Sequence, residues 1–183
     1  TPFAVLIFGD PQAGKTRGIE TCKRAYADAF DCVDVDSVTH TQNSLDPYFT
    51  NFTSSTEVMI MDDVACVNPQ SGKEDTSLDG VLNVLSSMNY NPNMAALEDK
   101  GSVSVNANML IAITNTKHLN VRQWFSNPVA VLRRFKIILT CEPKPEFSLY
   151  EKNSDRIKTL DMNKVKAFKI ANPLAHMDFC EYK

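Results

Sequence analysis

Gly9-Asp10-Pro11-Gln12-Ala13-Gly14-Lys15-Thr16 has the spacing GxxxxGK[ST], with an apolar run from Phe3 to Phe8 before it and an amphipathic stretch after it. That pattern does phosphate chemistry. A tight loop between strand and helix turns successive backbone N–H groups toward an anion. The lysine reaches the β and γ oxygens of a triphosphate, and the threonine hydroxyl ligates Mg²⁺. Gln12 and Ala13 make the loop less permissive in its dihedrals than glycine would.

Val58-Met59-Ile60-Met61-Asp62-Asp63 is an apolar strand ending in two carboxylates, as in a Walker B element. Asp62 is expected to hold Mg²⁺ through its waters and Asp63 to take a proton from an attacking water. Leu110 to Thr114 is a second apolar strand with Asn115 at its tip, where an amide could orient that water or simply form a turn. Arg133 and Arg134 precede the run Phe135 to Leu139. From a neighbouring subunit either one could neutralise charge on a transferring phosphoryl group; within one chain they could equally be a solvated pair.

These residues need a frame that brings strand ends together. Five β-like runs punctuate the chain: Phe3 to Phe8, Cys32 to Asp36, Glu57 to Met61, Met109 to Thr114 and Phe135 to Cys141. A helix is expected over Lys15 to Phe30, with Ile19, Cys22, Ala25, Tyr26 and Ala29 on one face. A second is expected over residues 78–88, and a third over Val121 to Arg133. Strands alternating with helices predict an α/β fold, a mostly parallel five-stranded sheet sandwiched by helices. The core is expected to span 1–142, with 143–183 as a C-terminal extension packed on it and open to a part in oligomerisation.

Composition agrees with a single globular domain: 183 residues, 43% hydrophobic and 22% charged. The formal net charge of −3 supplies no global positive field for nucleic acid, so such a contact has to be local. Five scattered cysteines without CxxC spacing argue against a disulfide framework or a local zinc site and suit a reducing compartment. No apolar run approaches the roughly 20 residues that span a bilayer, so the domain is expected to be soluble.

Phosphate loop, acidic pair, Thr-Asn strand tip and arginine pair follow in an order that resembles the superfamily 3 helicases of small RNA viruses, most of all the 2C ATPases of picornaviruses. Asp46-Pro-Tyr-Phe-Thr-Asn-Phe52 is similar to that family's lead-in to the acidic strand. Asn68-Pro69 and the stretch from Leu82 to Gly101, with Asn91-Pro92, Met94 and Glu98-Asp99-Lys100-Gly101, add to the likeness. The resemblance covers residues 3 to about 142. It implies a P-loop NTPase core of AAA+ type that hydrolyses ATP with Mg²⁺ at the interfaces of a ring, usually a hexamer, with RNA in the channel.

By that likeness the loop residues 9–16 hold the nucleotide, Thr16 and Asp62 serve the metal, and Asp63 and Asn115 serve the water. Arg133 or Arg134 acts in trans, and Lys100 faces RNA. Host cytoplasm, membranes reached through flanking segments and other viral replication proteins as partners are further implications. Many picornavirus members carry a cysteine-rich zinc site after the arginines; here that region holds only Cys141 and Cys180, so no metal beyond Mg²⁺ is expected. An alternative keeps the ATPase as a nucleotide-controlled scaffold for membrane remodelling or encapsidation without unwinding. A small-molecule kinase or GTPase is a weaker fit, because Asn115-Thr116-Lys117-His118 lacks the aspartate of a guanine-reading NKxD motif. His40, His118, His176 and the methionines read as hydrogen-bonded, surface or core residues. The tail lysines 152, 158, 164, 166 and 169, with Arg156, read as a solvated face.

Overall fold

In the computed structural model, residues 1–43, 46–73, 75–95, 101–150, 158–171 and 179–183 are described. β1 (Phe3–Gly9) is the centre of the sheet, and its Ala4 to Ile7 are at most 2% exposed. A strand buried on both faces reads as an unbroken apolar run, which is why it is legible. The loop after it feeds α1 (Lys15–Phe30). α1 buries Tyr26 and half-buries Ile19 and Cys22, but Ala25 and Ala29, expected on the same face, are exposed. Lys23 takes the buried place instead, paired with Glu20 at 3.3 Å and with Asp36.

The strand expected over Cys32 to Asp36 is a set of turns. Asp34 accepts from Ser37 N at 3.3 Å, and the Ser37 hydroxyl returns a bond to Asp34 O at 2.8 Å. Short polar side chains that bond local backbone outcompete strand pairing there. β2 forms later, at Thr39–Asn43. Its inward residues are the polar His40 and Gln42, bonded to each other at 3.2 Å, with His40 lying against Phe49 and Phe52.

β3 (Val58–Asp62) follows, then α2 (Thr76–Val84), capped by the buried Asp75, then β4 (Met109–Thr114). The single helix expected over 121–133 is two short ones, α3 (Val121–Trp124) and α4 (Pro128–Leu132). Pro128 biases Asn127 out of the helical region and itself starts α4, so the chain breaks between them.

β5 (Ile137–Pro143) completes the parallel set, and the sheet order runs β2-β3-β4-β1-β5. The tail then makes a hairpin of β6 (Ser148–Tyr150) and β7 (Lys158–Leu160), α5 (Met162–Ala171), and β8 (Cys180–Tyr182). β8 is a sixth strand, antiparallel on β5, beyond the five expected. Phe147, Phe168 and Phe179 meet edge to face with centroids 4.9 to 5.9 Å apart, a small aromatic core that holds this tail together.

Side chains alternate between two cores. Val5, Ile7, Ile60, Ile111 and Ile113 meet α1, while Leu6, Met59, Met61, Leu110 and Ala112 meet α2 and the aromatic pair Phe49 and Phe52. Parallel register aligns Gly9 with Cys141 and Phe8 with Thr114. The carboxyl ends of β1, β3 and β4 therefore open along one rim, where open α/β sheets bind ligands. Among the described residues no helix is long and apolar enough to cross a membrane.

Candidate nucleotide site

The loop between β1 and α1 is anchored at both ends and from behind. Gly14 adopts φ 99°, the left-handed region that favours glycine, and Gln12 sits at φ 59°. Lys15 Nζ curls back to donate to Gly9 O and Asp10 O, each at 2.9 Å. Ala13 N donates to Asp10 O at 3.1 Å.

Behind the loop stand residues of β5 and the tail. The thiols of Cys141 and Cys180 converge on Ala13 O at 3.3 and 2.8 Å, and the Tyr182 hydroxyl donates to Gly14 O at 3.1 Å. Leu160 N donates to Gln12 O at 3.4 Å. A trans peptide holds its C=O and N–H on opposite sides. Drawing the carbonyls of Ala13 and Gly14 toward the tail thus aims the N–H groups of Gly14 and Lys15 out of the front of the loop. Cys180, hydrogen-bonded to Cys141, holds the Cys141 thiol below its ordinary range against the effect of burial, with Tyr182 and Lys15 acting in the same direction.

On the front, the third Lys15 donor goes to Asn115 Oδ1 at 2.5 Å, and Asn115 Nδ2 donates to Asp63 Oδ1 at 3.1 Å. The charges dictate that orientation: the amide oxygen faces the ammonium and the amide NH₂ faces the carboxylate. Three residues from three motifs thus form one chain, Lys15 to Asn115 to Asp63. Burial lowers the Lys15 pKa from its usual 10.5, opposed by Cys141, Asp63, Asp10 and Asp62.

The turn that carries the acids is unusual. Asp63 and Ala65 have φ 54° and 58°. Such conformations are costly for residues with a Cβ and persist where surroundings over-determine them. Here Val64 N donates to Ile113 O at 2.8 Å, Thr114 Oγ1 to Val64 O at 2.7 Å and Thr116 Oγ1 to Ala65 O at 2.9 Å. Ala65 N donates to Ser77 Oγ at 2.9 Å, and the buried Asp75 takes both the Ser77 hydroxyl and, at 3.1 Å, Val67 N. Thr114, Thr116, Ser77 and Asp75 are the positioning residues that motif reading misses. Only the Thr-Asn-Thr repeat at the β4 tip hints at them.

Asp62 is exposed, with Oδ1 accepting from Asp63 N at 2.9 Å. Thr16 is exposed in the first turn of α1, and Pro11 is exposed beside it in the loop. Arg133, exposed, and Arg134, half-buried, lie just before β5, level with the start of β1: Lys136 N donates to Ala4 O at 2.8 Å. They stand at the opposite end of the sheet from the loop, about 16 Å away at roughly 3.3 Å per strand residue. The chain does not bring its own arginines to its own loop. Lys100 lies outside the described residues.

A cleft of about 420 Å³ flanks the loop on the tail side, lined by Gln12, Gly14, Lys15, Thr16, Leu160 and Met162. A model of one protein family, described as RNA helicase, matches residues 5–116, more than half of the chain. The matched span takes in the loop, the acidic pair and Asn115, and leaves out the arginines and the tail.

Proposed function

The chain belongs to the RNA helicase family, and from that premise we propose that it is a Mg²⁺-dependent nucleoside triphosphatase, an ATPase of a viral replication protein of the 2C type. It works at the subunit interfaces of a ring and couples hydrolysis to binding and remodelling RNA. The observation that carries the reading is the Lys15–Asn115–Asp63 chain in front of the loop.

The donor set suits the metal. Thr16 and Asp62 offer hard oxygens beside the phosphate loop, and Asp62 keeps one carboxylate oxygen outside its bond to Asp63 N, the kind of ligation Mg²⁺ takes. Bound there with the triphosphate, Mg²⁺ would neutralise charge on the β and γ oxygens. The N–H groups of Gly14 and Lys15 take the phosphate oxygens. All three Lys15 donors are engaged, so a phosphate oxygen replaces Asn115 Oδ1 at the ammonium and frees that amide to hold a water. The water attacks the γ-phosphorus, its proton passes to the Asp63 carboxylate, and the bond to the β-phosphate breaks with the leaving oxygen covered by Lys15.

The arginine that would complete this charge stabilisation comes from the next subunit, because Arg133 and Arg134 stand at the far end of β5. The experiment is specific ATPase activity against protein concentration, with mass by light scattering and an Arg133→Ala/Arg134→Ala variant alongside. Activity that climbs with assembly and is lost in the variant is expected. A rate independent of concentration and indifferent to the substitutions would reject the shared site.

A further inference from the structure

Cys141 on β5 and Cys180 on β8 take no part in hydrolysis, yet both lie directly behind the loop. Their thiols donate to the same oxygen, Ala13 O, at 3.3 and 2.8 Å, and they are hydrogen-bonded to each other. Antiparallel register pairs Cys141 with Tyr182 and Cys180 with Pro143. The two cysteines are thus diagonal neighbours, both facing the core that meets α1. Resting on the phosphate-binding role proposed for the loop, we infer that Cys141 and Cys180 form a reversible oxidation site, at which a peroxide converts the pair to a disulfide and the disulfide weakens phosphate binding.

The pair differs from cysteines elsewhere in the chain. Burial pushes the thiols of Cys22 and Cys66 up, and Asp75 and Asp63 add to the effect at Cys66. At Cys141 the bond from Cys180 outweighs burial and holds the thiol down, which favours the thiolate that attacks. Cys141 and Cys180 are 1% and 7% exposed, so the peroxide reaches them when β8 opens. β8 is three residues long and stands at the edge of the sheet beside β5. Such short elements open locally, well below the free energy of global unfolding.

The Cys141 sulfur attacks one oxygen of hydrogen peroxide, the O–O bond breaks, and the departing hydroxide takes a proton to become water, leaving a sulfenic acid on Cys141. The Cys180 sulfur then attacks the Cys141 sulfur, the S–O bond breaks, and the second hydroxide leaves as water with the Cys180 proton. Two electrons pass from the thiols to the peroxide, so two thiols and one peroxide become one disulfide and two waters.

A disulfide has no S–H donor, so Ala13 O loses both thiol bonds. Diagonal strand partners stand about 7 to 8 Å apart at Cα, and a disulfide spans at most about 6.8 Å, so β8 shifts as the bridge closes. Tyr182 shifts with it, and its bond to Gly14 O is another that orients the loop peptides. The N–H groups of Gly14 and Lys15 are then no longer fixed toward phosphate. A bridge that strains its strands is readily reduced, which makes the modification reversible.

The test treats the chain with hydrogen peroxide, maps disulfides by mass spectrometry of proteolytic peptides, and measures Mg²⁺-ATP affinity by calorimetry before oxidation, after it and after dithiothreitol. Wild type, Cys141→Ser and Cys180→Ser are compared, each with its own untreated sample, because serine keeps a hydroxyl donor but cannot form the bridge. Treated wild type should show a Cys141–Cys180 link and bind ATP about tenfold more weakly, with full recovery on reduction. The serine variants should change by less than about threefold on treatment. A link with unchanged affinity, or no link under conditions that oxidise the exposed Cys66, would overturn the oxidation site, while ATP binding by the reduced chain upheld the proposed function. A loss of wild-type size in the serine variants, or one that dithiothreitol does not reverse, would overturn it as well. The wild-type comparison decides by itself where a variant does not fold. Reduced wild type that binds no ATP would instead overturn the proposed function, and the control by oxidation with it.

Discussion

The two flanks of the phosphate loop are built in different ways. On the β3 and β4 side, charged and amide groups face outward at strand tips, and the strained turn at Asp63 and Ala65 is held by Thr114, Thr116 and Ser77. On the side of β5, β7 and β8, two thiols, a phenol and one backbone amide grip the carbonyls of Gln12, Ala13 and Gly14. The first flank presents the groups proposed to do chemistry; the second fixes the peptide planes that would make the loop an anion site. Substitutions on the first should change turnover, and substitutions on the second should change stability and affinity together.

Lys15 joins the loop carbonyls of Gly9 and Asp10 to Asn115 on the first flank, and its removal is a severe test. Lys15→Ala should cut ATP turnover by about 10³-fold, the upper end for losing one preorganised donor to transition-state charge. Phosphate release under saturating nucleotide would measure it.

The next largest effect falls on the supporting flank. A Cβ on Gly14 would collide with Cys180 Sγ, and φ 99° penalises any side chain. Gly14→Ala should therefore cost about 2 to 4 kcal/mol in denaturant unfolding. Adding Cys180→Gly should remove the collision but leave the backbone penalty. Complete recovery, or none, would show that the β8 contact is not what restricts Gly14.

How the two flanks were encoded explains what could be read beforehand. The loop, Asp62-Asp63 and Thr114-Asn115 each lie in a contiguous stretch after an apolar strand, so motif and element announce each other. The supporting flank offers nothing of the kind. Cys180 and Tyr182 lie 167 and 168 positions from the carbonyls they hold, and a carbonyl target leaves no residue type to recognise. β8 is three residues long and alternates weakly, so its strand character comes from pairing with β5. β2 was illegible for a related reason: His40 and Gln42 satisfy each other inside, which no apolar alternation reveals. Asn115 was legible as a strand tip, but only the fold brings it between Lys15 and Asp63.

A smaller change sharpens the contrast. Tyr182→Phe removes one hydroxyl bond to Gly14 O and should lower stability by about 1 kcal/mol, with a modest rise in KM and kcat nearly unchanged. A fall in kcat with unaltered stability would place Tyr182 with the reactive flank.

The smallest effect is a pH profile. Because burial lowers the Lys15 pKa, the ammonium deprotonates below the usual 10.5, and ATP affinity should begin to fall at a lower pH than an ordinary lysine would give. In the interval between the folded value and 10.5 the unfolded chain binds more protons at this site, so the Lys15 contribution makes stability rise with pH there. Affinity and that stability contribution should therefore move in opposite directions, and Lys15→Met should abolish both trends.

The proton-accepting role of Asp63 is tested most directly by γ-phosphate release from Mg²⁺-ATP by wild type and Asp63→Asn, with the ATP Kd determined on the same samples. Asp63→Asn removes the carboxylate proposed to take the proton and leaves the supporting flank intact. The expected result is a Kd within about threefold of wild type and phosphate release slower by about 10² to 10⁴-fold. Unchanged release, or a loss of binding equal to the loss of release, would contradict it.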